Sequence, residues 1–413
     1  MRDLKLIKLL RKKEYSKLLL ANSISRMGDS IDAIAFSWLV YILTGSELLL
    51  GVTFAVNALP NLIFGAFTGV LADRFNKKRL MVLSFLGRGI AVLIIAIIYS
   101  IGYLRIWHIL LFTAFNSTLE ILMSPAAFSI MPKLIEEENY AEASGLSSSI
   151  YRFAELLGTG VAGVIIAKFS ITGALLVDVA TFLAASFIVQ LIKYKEEQEE
   201  KSQITIKSTL IDVKEGFNYL KLNKIIMLII GLFALINFCI SPINVLLPVF
   251  SQKTLKGGPE IISILGMSLS LGTILGGVIT ASVAEKFKGN KLLNIGALGF
   301  GLSYTILVLP GYIQGRSILS LIIAALGFFL MGFMIPPMTA SLTAHIMSKT
   351  DKKLLGRVSG IVSLVCTGMI PLGAALTGVM ANYLSTSLIF LIMGAIIILV
   401  SMYLWISGSL ETA

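Results

Sequence analysis

The chain has 413 residues, 56% of them hydrophobic and only 14% charged, with a mean hydropathy of +0.89. That balance is too apolar for a water-soluble protein of this length and places the chain in a lipid bilayer. The net charge of +11 would suit a nucleic-acid partner, but its distribution follows membrane topology instead, so no nucleic acid is expected.

Met1 to Lys17 is basic and precedes an apolar run, as a secretory signal does. Arg26 and Asp29 interrupt any short apolar signal core, and the stretch is predicted to be an uncleaved first span. Mostly apolar spans follow at 17–43, 49–72, 80–101, 106–131, 143–168, 171–193, 225–250, 259–284, 291–312, 317–344, 357–383 and 386–408, twelve in all. Each is long enough to cross about 30 Å of hydrocarbon. The only long polar stretch, 194–224, separates six spans from six, and its Ile204, Ile206, Leu210, Val213 and Phe217 suit an amphipathic helix on the membrane surface. The expected organisation is an N-terminal six-helix bundle over 1–193, a cytoplasmic linker over 194–224 and a C-terminal six-helix bundle over 225–413. With both termini placed inside, inner segments hold 26 Lys and Arg, and outer ones hold five: Arg105, Lys168, Lys253, Lys256 and Arg316. This asymmetry predicts cytoplasmic termini. Cys239 and Cys366 fall inside spans, and His108 and His345 lie near opposite faces, so no disulfide framework, metal or other cofactor is expected.

Between the second and third spans runs Gly69-Val-Leu-Ala-Asp73-Arg74-Phe-Asn76-Lys77-Lys78-Arg79-Leu80. A weaker copy, Ala284-Glu285-Lys286-Phe287, returns 212 residues on, and the same shift carries Gly65 to Gly277. A shift of 215 superposes Ala143-Ser144-Gly145-Leu146 on Val358-Ser359-Gly360-Ile361, and Leu157-Gly158 on Leu372-Gly373. The two halves are therefore related. The first run resembles the cytoplasmic loop signature of the major facilitator superfamily, G-x-L-A-D-R-x-G-[RK]-[RK], with Asn76 standing where the family has Gly. Asn is the residue that best tolerates the left-handed conformation such a Gly supplies. The resemblance implies an all-α membrane protein of twelve transmembrane helices in two pseudo-symmetric six-helix bundles, with a substrate site at midplane. It also implies a conformational latch, in which Asp73 meets the N-terminus of the eleventh helix near Gly356 to Gly360 while Gly69, Arg74, Lys77 and Lys78 complete the loop motif. Gly158-Thr-Gly160-Val-Ala-Gly163 matches a dinucleotide fingerprint in spelling only, since no strand precedes it; close helix contact explains it better. The proline that family antiporters carry in the fifth helix is absent, as is the arginine of their fourth.

Charges within spans are expensive in hydrocarbon and need a partner, a wet cavity or a task. Spans one to six carry Arg26, Asp29, Asp32, Arg88, Glu120, Arg152, Glu155 and Asp178, whereas the interiors of spans seven to twelve carry none. Arg26, Asp29 and Asp32 follow an i, i+3, i+6 spacing and share one face of the first helix near the bilayer centre. Arg26 can neutralise one acid, leaving the other, Asp32 for preference, to exchange a proton; the alternative is a structural Arg–Asp pair. Glu120 is a second candidate for contact with a proton or a cationic substrate. Arg152 and Glu155 either pair within the fifth helix or join a functional network. Asp178, nearer the outer face, is expected to anchor helix packing, and Arg88 to snorkel toward the loop or interface.

Within the superfamily the chain resembles bacterial drug exporters of the macrolide-efflux type, through Ser25-Arg26-Met27-Gly28-Asp29-Ser30, Trp38-Leu-Val-Tyr41 and Thr44-Gly45-Ser46. The resemblance implies a monomeric, multi-pass secondary transporter of the bacterial cytoplasmic membrane, surrounded by lipid. It would export an amphipathic or hydrophobic small molecule against protons by alternating access. Siderophore or lysophospholipid transport, and proton-coupled import, are the alternatives. An enzyme is not expected: the chain has no G-x-x-x-x-G-K-[ST], H-E-x-x-H or G-x-S-x-G.

Overall fold

A computed structural model describes residues 9–65, 68, 75–193, 224–283, 289–313, 317–350 and 355–407. Gly69, Asp73 and Arg74 of the loop motif, its copy at 284–287 and the linker at 194–223 lie outside the described residues. Eleven long apolar helices make up nearly all the rest: α1 Lys13–Thr44, α2 Glu47–Phe64, α3 Lys77–Ser100, α4 Ile106–Leu134, α5 Tyr140–Gln190, α6 Lys224–Val249, α7 Pro259–Val283, α8 Gly289–Ile306, α9 Ser317–Lys349, α10 Leu355–Met380 and α11 Thr386–Ile406. Helix is the form such runs must take in lipid, because it satisfies every backbone N–H and C=O within the segment. Large apolar side chains such as Leu83, Ile94, Leu111, Phe187 and Leu399 are exposed, as a lipid-facing surface requires.

The predicted spans 143–168 and 171–193 lie in one 51-residue element, α5, interrupted at Ser170, whose φ of 63° and ψ of 177° are non-helical. The stretches on either side are about 45 and 30 Å long at 1.5 Å per residue, each enough for a crossing. Asn76 departs from expectation: its φ is −61°, and its side chain accepts a hydrogen bond from Arg79 N at 2.8 Å. It caps α3 rather than making a left-handed turn, because a short amide that reaches the third amide of the helix satisfies an otherwise orphaned donor.

The chain divides into two compact units, one holding described residues up to Leu43 and from Leu59 to Lys193, the other holding Thr44–Ala58 and everything from Lys224. In the first unit α3 packs on α4 and α5, and α1 comes very close to α5. A methyl added at Gly28 would sit 2.0 Å from Thr181 Oγ1, and one at Gly158 2.3 Å from Met27 O. The C-terminal carbonyls of α5 are held by lysines: Lys17 Nζ donates to Leu191 O and Lys78 Nζ to Ile192 O, both at 2.8 Å, while Glu14 accepts from Lys193 N at 2.6 Å. Cations suit that end of a helix. Lys78 of the loop motif is therefore occupied as a helix cap.

In the second unit α7 and α9 cross through Gly272, Gly276 and Gly332, where an added methyl would lie 2.0 to 2.3 Å from the facing helix's carbonyl oxygens. Close backbone approach of this kind is how helices associate where lipid removes the hydrophobic drive. Gly51 on α2 meets α10 at Ala374 and Gly378, and Glu47 pairs with Lys253 at 2.8 Å. Buried aromatics Phe250, Phe300, Tyr304 and Phe390 fill the centre.

The repeat is visible in packing. Gly158 rests on Met27 O and Ser30; Gly373, 215 residues on, rests on Phe238 O and Ser241, each 211 residues on. Gly89 meets Leu183, and Gly301, 212 on, meets Ile398, 215 on.

Gly272→Val should destabilise the protein by about 1–3 kcal/mol, since the facing atom is backbone and cannot turn aside. Gly277→Ala, at a site with nothing within 4 Å, should be neutral. Thermal unfolding of the detergent-purified variants, followed by size-exclusion chromatography, checks the pair.

Candidate functional site

The intramembrane charges of the first unit converge on Arg88, carried by α3, whose side chain is 3% exposed. Its Nη2 donates to Asp29 Oδ1 on α1 at 2.5 Å, and its Nε donates to Asn116 Oδ1 on α4 at 2.8 Å. Glu120 Oε2, one turn along α4 from Asn116, lies 4.0 Å from Nη2. The guanidinium carbon stands 4.3 Å from the centroid of the Phe182 ring on α5. One cation thus touches three other helices through an ion pair, a hydrogen bond and a cation–π contact. Arg26 reaches Glu120 Oε1 at 3.4 Å, so Glu120 is flanked by both arginines.

Two further carboxylates complete the group. Asp178 on α5 is fully buried beneath Gly28, with Thr181 Oγ1 donating to its Oδ1 at 3.2 Å. Its Oδ2 has no partner. Asp32, one turn along α1 from Asp29, also has a buried oxygen without a partner, and the buried donor Nη1 of Arg88 has no acceptor. Four acids against two guanidiniums leave two negative charges unmatched when all are ionised.

Beside this network opens a cleft of about 240 Å³ lined by α1, α4 and α5, with Asp29, Arg26 and Glu120 at one end and Tyr15 and Ser147 at the other. Its polar wall is connected: Tyr15 Oη and Ser147 Oγ are 3.0 Å apart, and Asn22 Nδ2 donates to Tyr151 Oη at 3.1 Å.

Of the residues singled out by sequence, Arg26, Asp29 and Glu120 meet through Arg88, with Asp32 adjacent. Two assignments change. Arg26 does not neutralise Asp29 or Asp32; it extends across to α4, because Arg88 already occupies Asp29 at shorter range. Arg88 does not snorkel to the interface; Asp29, Asn116 and Phe182 offset the cost of holding it inside. Asp178 anchors packing beneath Gly28 but also lies within electrostatic range of Asp29, Asp32 and Arg88. Arg152 and Glu155 pair with each other at 2.9 Å, both well exposed, as i, i+3 neighbours do. Asn116 and Phe182 were not distinguishable by type alone. Their signal is spacing: Asn116 stands four residues before Glu120, and Phe182 four after Asp178, each on the face that bears the acid.

The Major Facilitator Superfamily family model matches residues 18–373. Macrolide efflux protein A of Streptococcus pyogenes is 25% identical over 359 residues, covering 87% of each chain. The Staphyloferrin A transporter of Staphylococcus aureus (strain NCTC 8325 / PS 47) is 23% identical over 381 residues, covering 91% of each. Among solved structures, the nucleoside transporter NupG superposes with a TM-score of 0.77 over 97% of this chain and 99% of that one, at 10% identity. With its apolar helices, internal repeat and this match over most of its length, the chain belongs to the Major Facilitator Superfamily and is a multi-pass membrane transporter.

Proposed function

We propose that the protein exports an amphipathic or hydrophobic small molecule in exchange for protons, by alternating access between its halves at 1–193 and 225–413, in a bacterial cell membrane with both termini cytoplasmic. The observation that carries this reading is the excess of buried carboxylates over guanidiniums in the first unit, with Asp32 Oδ1 and Asp178 Oδ2 unpartnered. A buried polar group left unpaired costs roughly 1–3 kcal/mol, and an ionised one costs more. A proton on Asp32 removes that cost, and its release requires water or a cation to approach. The spare Nη1 of Arg88 supplies the moving part: a modest swing from Asp29 toward Asp32 or Asp178 would free one acid as it satisfies another. Cargo binding and proton release are then linked equilibria. Export is supported by the name of the macrolide-efflux relative.

A second reading, a cargo of the siderophore kind, is favoured by the Staphyloferrin A relative. The acid-rich first unit suits a neutral or cationic molecule better than a polyanion, which places it second. Import in symport with protons is a third arrangement of the same parts, and flux direction decides it.

Asp32→Asn should abolish cargo-dependent proton movement, at least tenfold below the unaltered protein, with normal amounts of protein in the membrane. Everted vesicles from a strain lacking its own exporters, given erythromycin as probe and a pH-sensitive dye, provide the measurement; a second arm with a ferric-siderophore mixture separates the two cargo classes. Unchanged proton exchange in the variant would overturn the role of Asp32. Removing the counter-ion should act on stability as well: Arg88→Leu strands Asp29 and should cost about 3–5 kcal/mol. Adding Asp29→Asn to Arg88→Leu should recover part of that loss in a thermal unfolding assay.

A further inference from the structure

Where α1 and α3 begin and α5 ends, the first unit gathers positive charge. Lys17 of α1 and Lys78 of α3 reach Leu191 O and Ile192 O, and Glu14 accepts from Lys193 N, so the three helix ends meet there. Lys13 adjoins Glu14 in sequence and Arg79 adjoins Lys78; both are exposed, as is Lys193, and none of the three forms an ion pair with a described acid. Glu14 is the one described acid among these cations, and it is already paired with Lys17 at 3.0 Å. The other acids of this end stand apart: Glu136, Glu137 and Glu138 lie at the α4–α5 turn, where Glu136 holds Lys12. Membrane orientation accounts for a surplus of cations on one side of a bilayer. It does not account for their separation from the acids of that same side.

Below the cations the surface is apolar. Arg79, Leu83, Leu86 and Ile90 follow spacings of 4, 3 and 4 and share one face of α3, while Leu183, Phe187 and Leu191 share one face of α5 and lead to Lys193. All seven of the face residues are exposed, and none lines the cleft beside Arg26 and Glu120. The two stripes are neighbours across a seam: Gly89 packs against Phe182 and Leu183, and Ser186 Oγ donates to Val82 O at 3.1 Å. From Arg79 to Ile90 the stripe runs about 16 Å, half of a 30 Å hydrocarbon core and so the depth of one leaflet.

We infer that this seam binds an anionic phospholipid, with the phosphate against Arg79 and Lys193 and the acyl chains along Leu83, Leu86 and Ile90 of α3 and Leu183 and Phe187 of α5. A zwitterionic headgroup brings its own cation and gains little from the rim, whereas each Lys or Arg at a membrane surface favours an anionic lipid about fivefold. The guanidinium of Arg79 can hold two phosphate oxygens at once. A soluble phosphate meets the same charges but leaves the apolar stripes uncovered, so the seam fits a lipid better than a free anion. The competing anion is in the chain itself, since Glu196, Glu197, Glu199 and Glu200 follow Lys193 in sequence. An occupied seam ties the start of α3, the helix that carries Arg88, to the end of α5.

Native mass spectrometry of the detergent-purified protein, titrated with phosphatidylglycerol or with phosphatidylcholine of the same acyl chains, tests the site. The first phosphatidylglycerol should bind at least about tenfold more tightly than the first phosphatidylcholine. Arg79→Gln combined with Lys193→Gln should bring that preference below about threefold. Arg105→Gln combined with Lys168→Gln, which removes two exposed cations from the opposite end of the unit, should leave it intact. Inorganic phosphate in large excess should not displace the lipid. Equal binding of the two lipids, the result if the glutamates after Lys193 fill the rim, overturns the site. A preference that survives the loss of Arg79 and Lys193, or displacement of the lipid by inorganic phosphate, overturns it as well.

Discussion

The ion pair between Arg88 and Asp29 is the constraint around which the first unit is organised. A guanidinium 3% exposed inside a membrane bundle is tolerable only while its partners stay in place. Those partners come from α1, α4 and α5, so the arginine on α3 fixes how three other helices stand around it. Close approach of α1 to α5 depends on Gly28 and Gly158, because any larger side chain would push Asp29 out of reach. Small residues and a buried charge thus serve one end: the glycines permit the distance, and the ion pair rewards it.

The repeat makes the division of labour explicit. Shifts anchored by matching glycine contacts carry Asp29 to Ile240, Arg88 to Phe300, Asn116 to Met331, Glu120 to Ile335 and Asp178 to Met393. Phe300, Met331 and Met393 are buried, as Arg88, Asn116 and Asp178 are. The same helix-packing scheme has been filled with charge in one half and with aromatic and methionine side chains in the other. Apolar packing of that kind stabilises without demanding partners, so the architecture by itself does not require the polar filling of the first half.

Much of this could be read from the chain. Hydropathy marks the membrane helices, because lipid forces each to be long and apolar, and the paired Gly158 and Gly373 already mark the same joint in both halves. The confinement of intramembrane charge to the first half is equally plain. Partnership was not: Arg26 and Asp29 are close along α1, yet each finds its partner on another helix. Local spacing defines a helix face but not what stands opposite it, and Arg88, 59 residues from Asp29, gives no sign in sequence of being its counter-ion. Asn76 shows the same limit at smaller scale, where a residue suited to a left-handed turn serves as a helix cap once the chain enters α3 directly.

The unmatched groups carry the last step. A network built only for stability would close every hydrogen bond, since a partly satisfied buried network is worse than an apolar core of the same shape, and the second unit demonstrates that such a core is available to this fold. Here Arg88 Nη1, Asp32 Oδ1 and Asp178 Oδ2 remain open together. One spare donor among two spare acceptors is an arrangement with more than one satisfactory pairing, and a site with alternative pairings of similar energy can be biased by a proton or by a cation at its edge. The cleft ending at Glu120 and Asp29 brings that edge within reach of water. On the proton-coupled reading proposed above, incomplete satisfaction and unequal halves follow from a single requirement: a charge that must be held within the membrane and also let go.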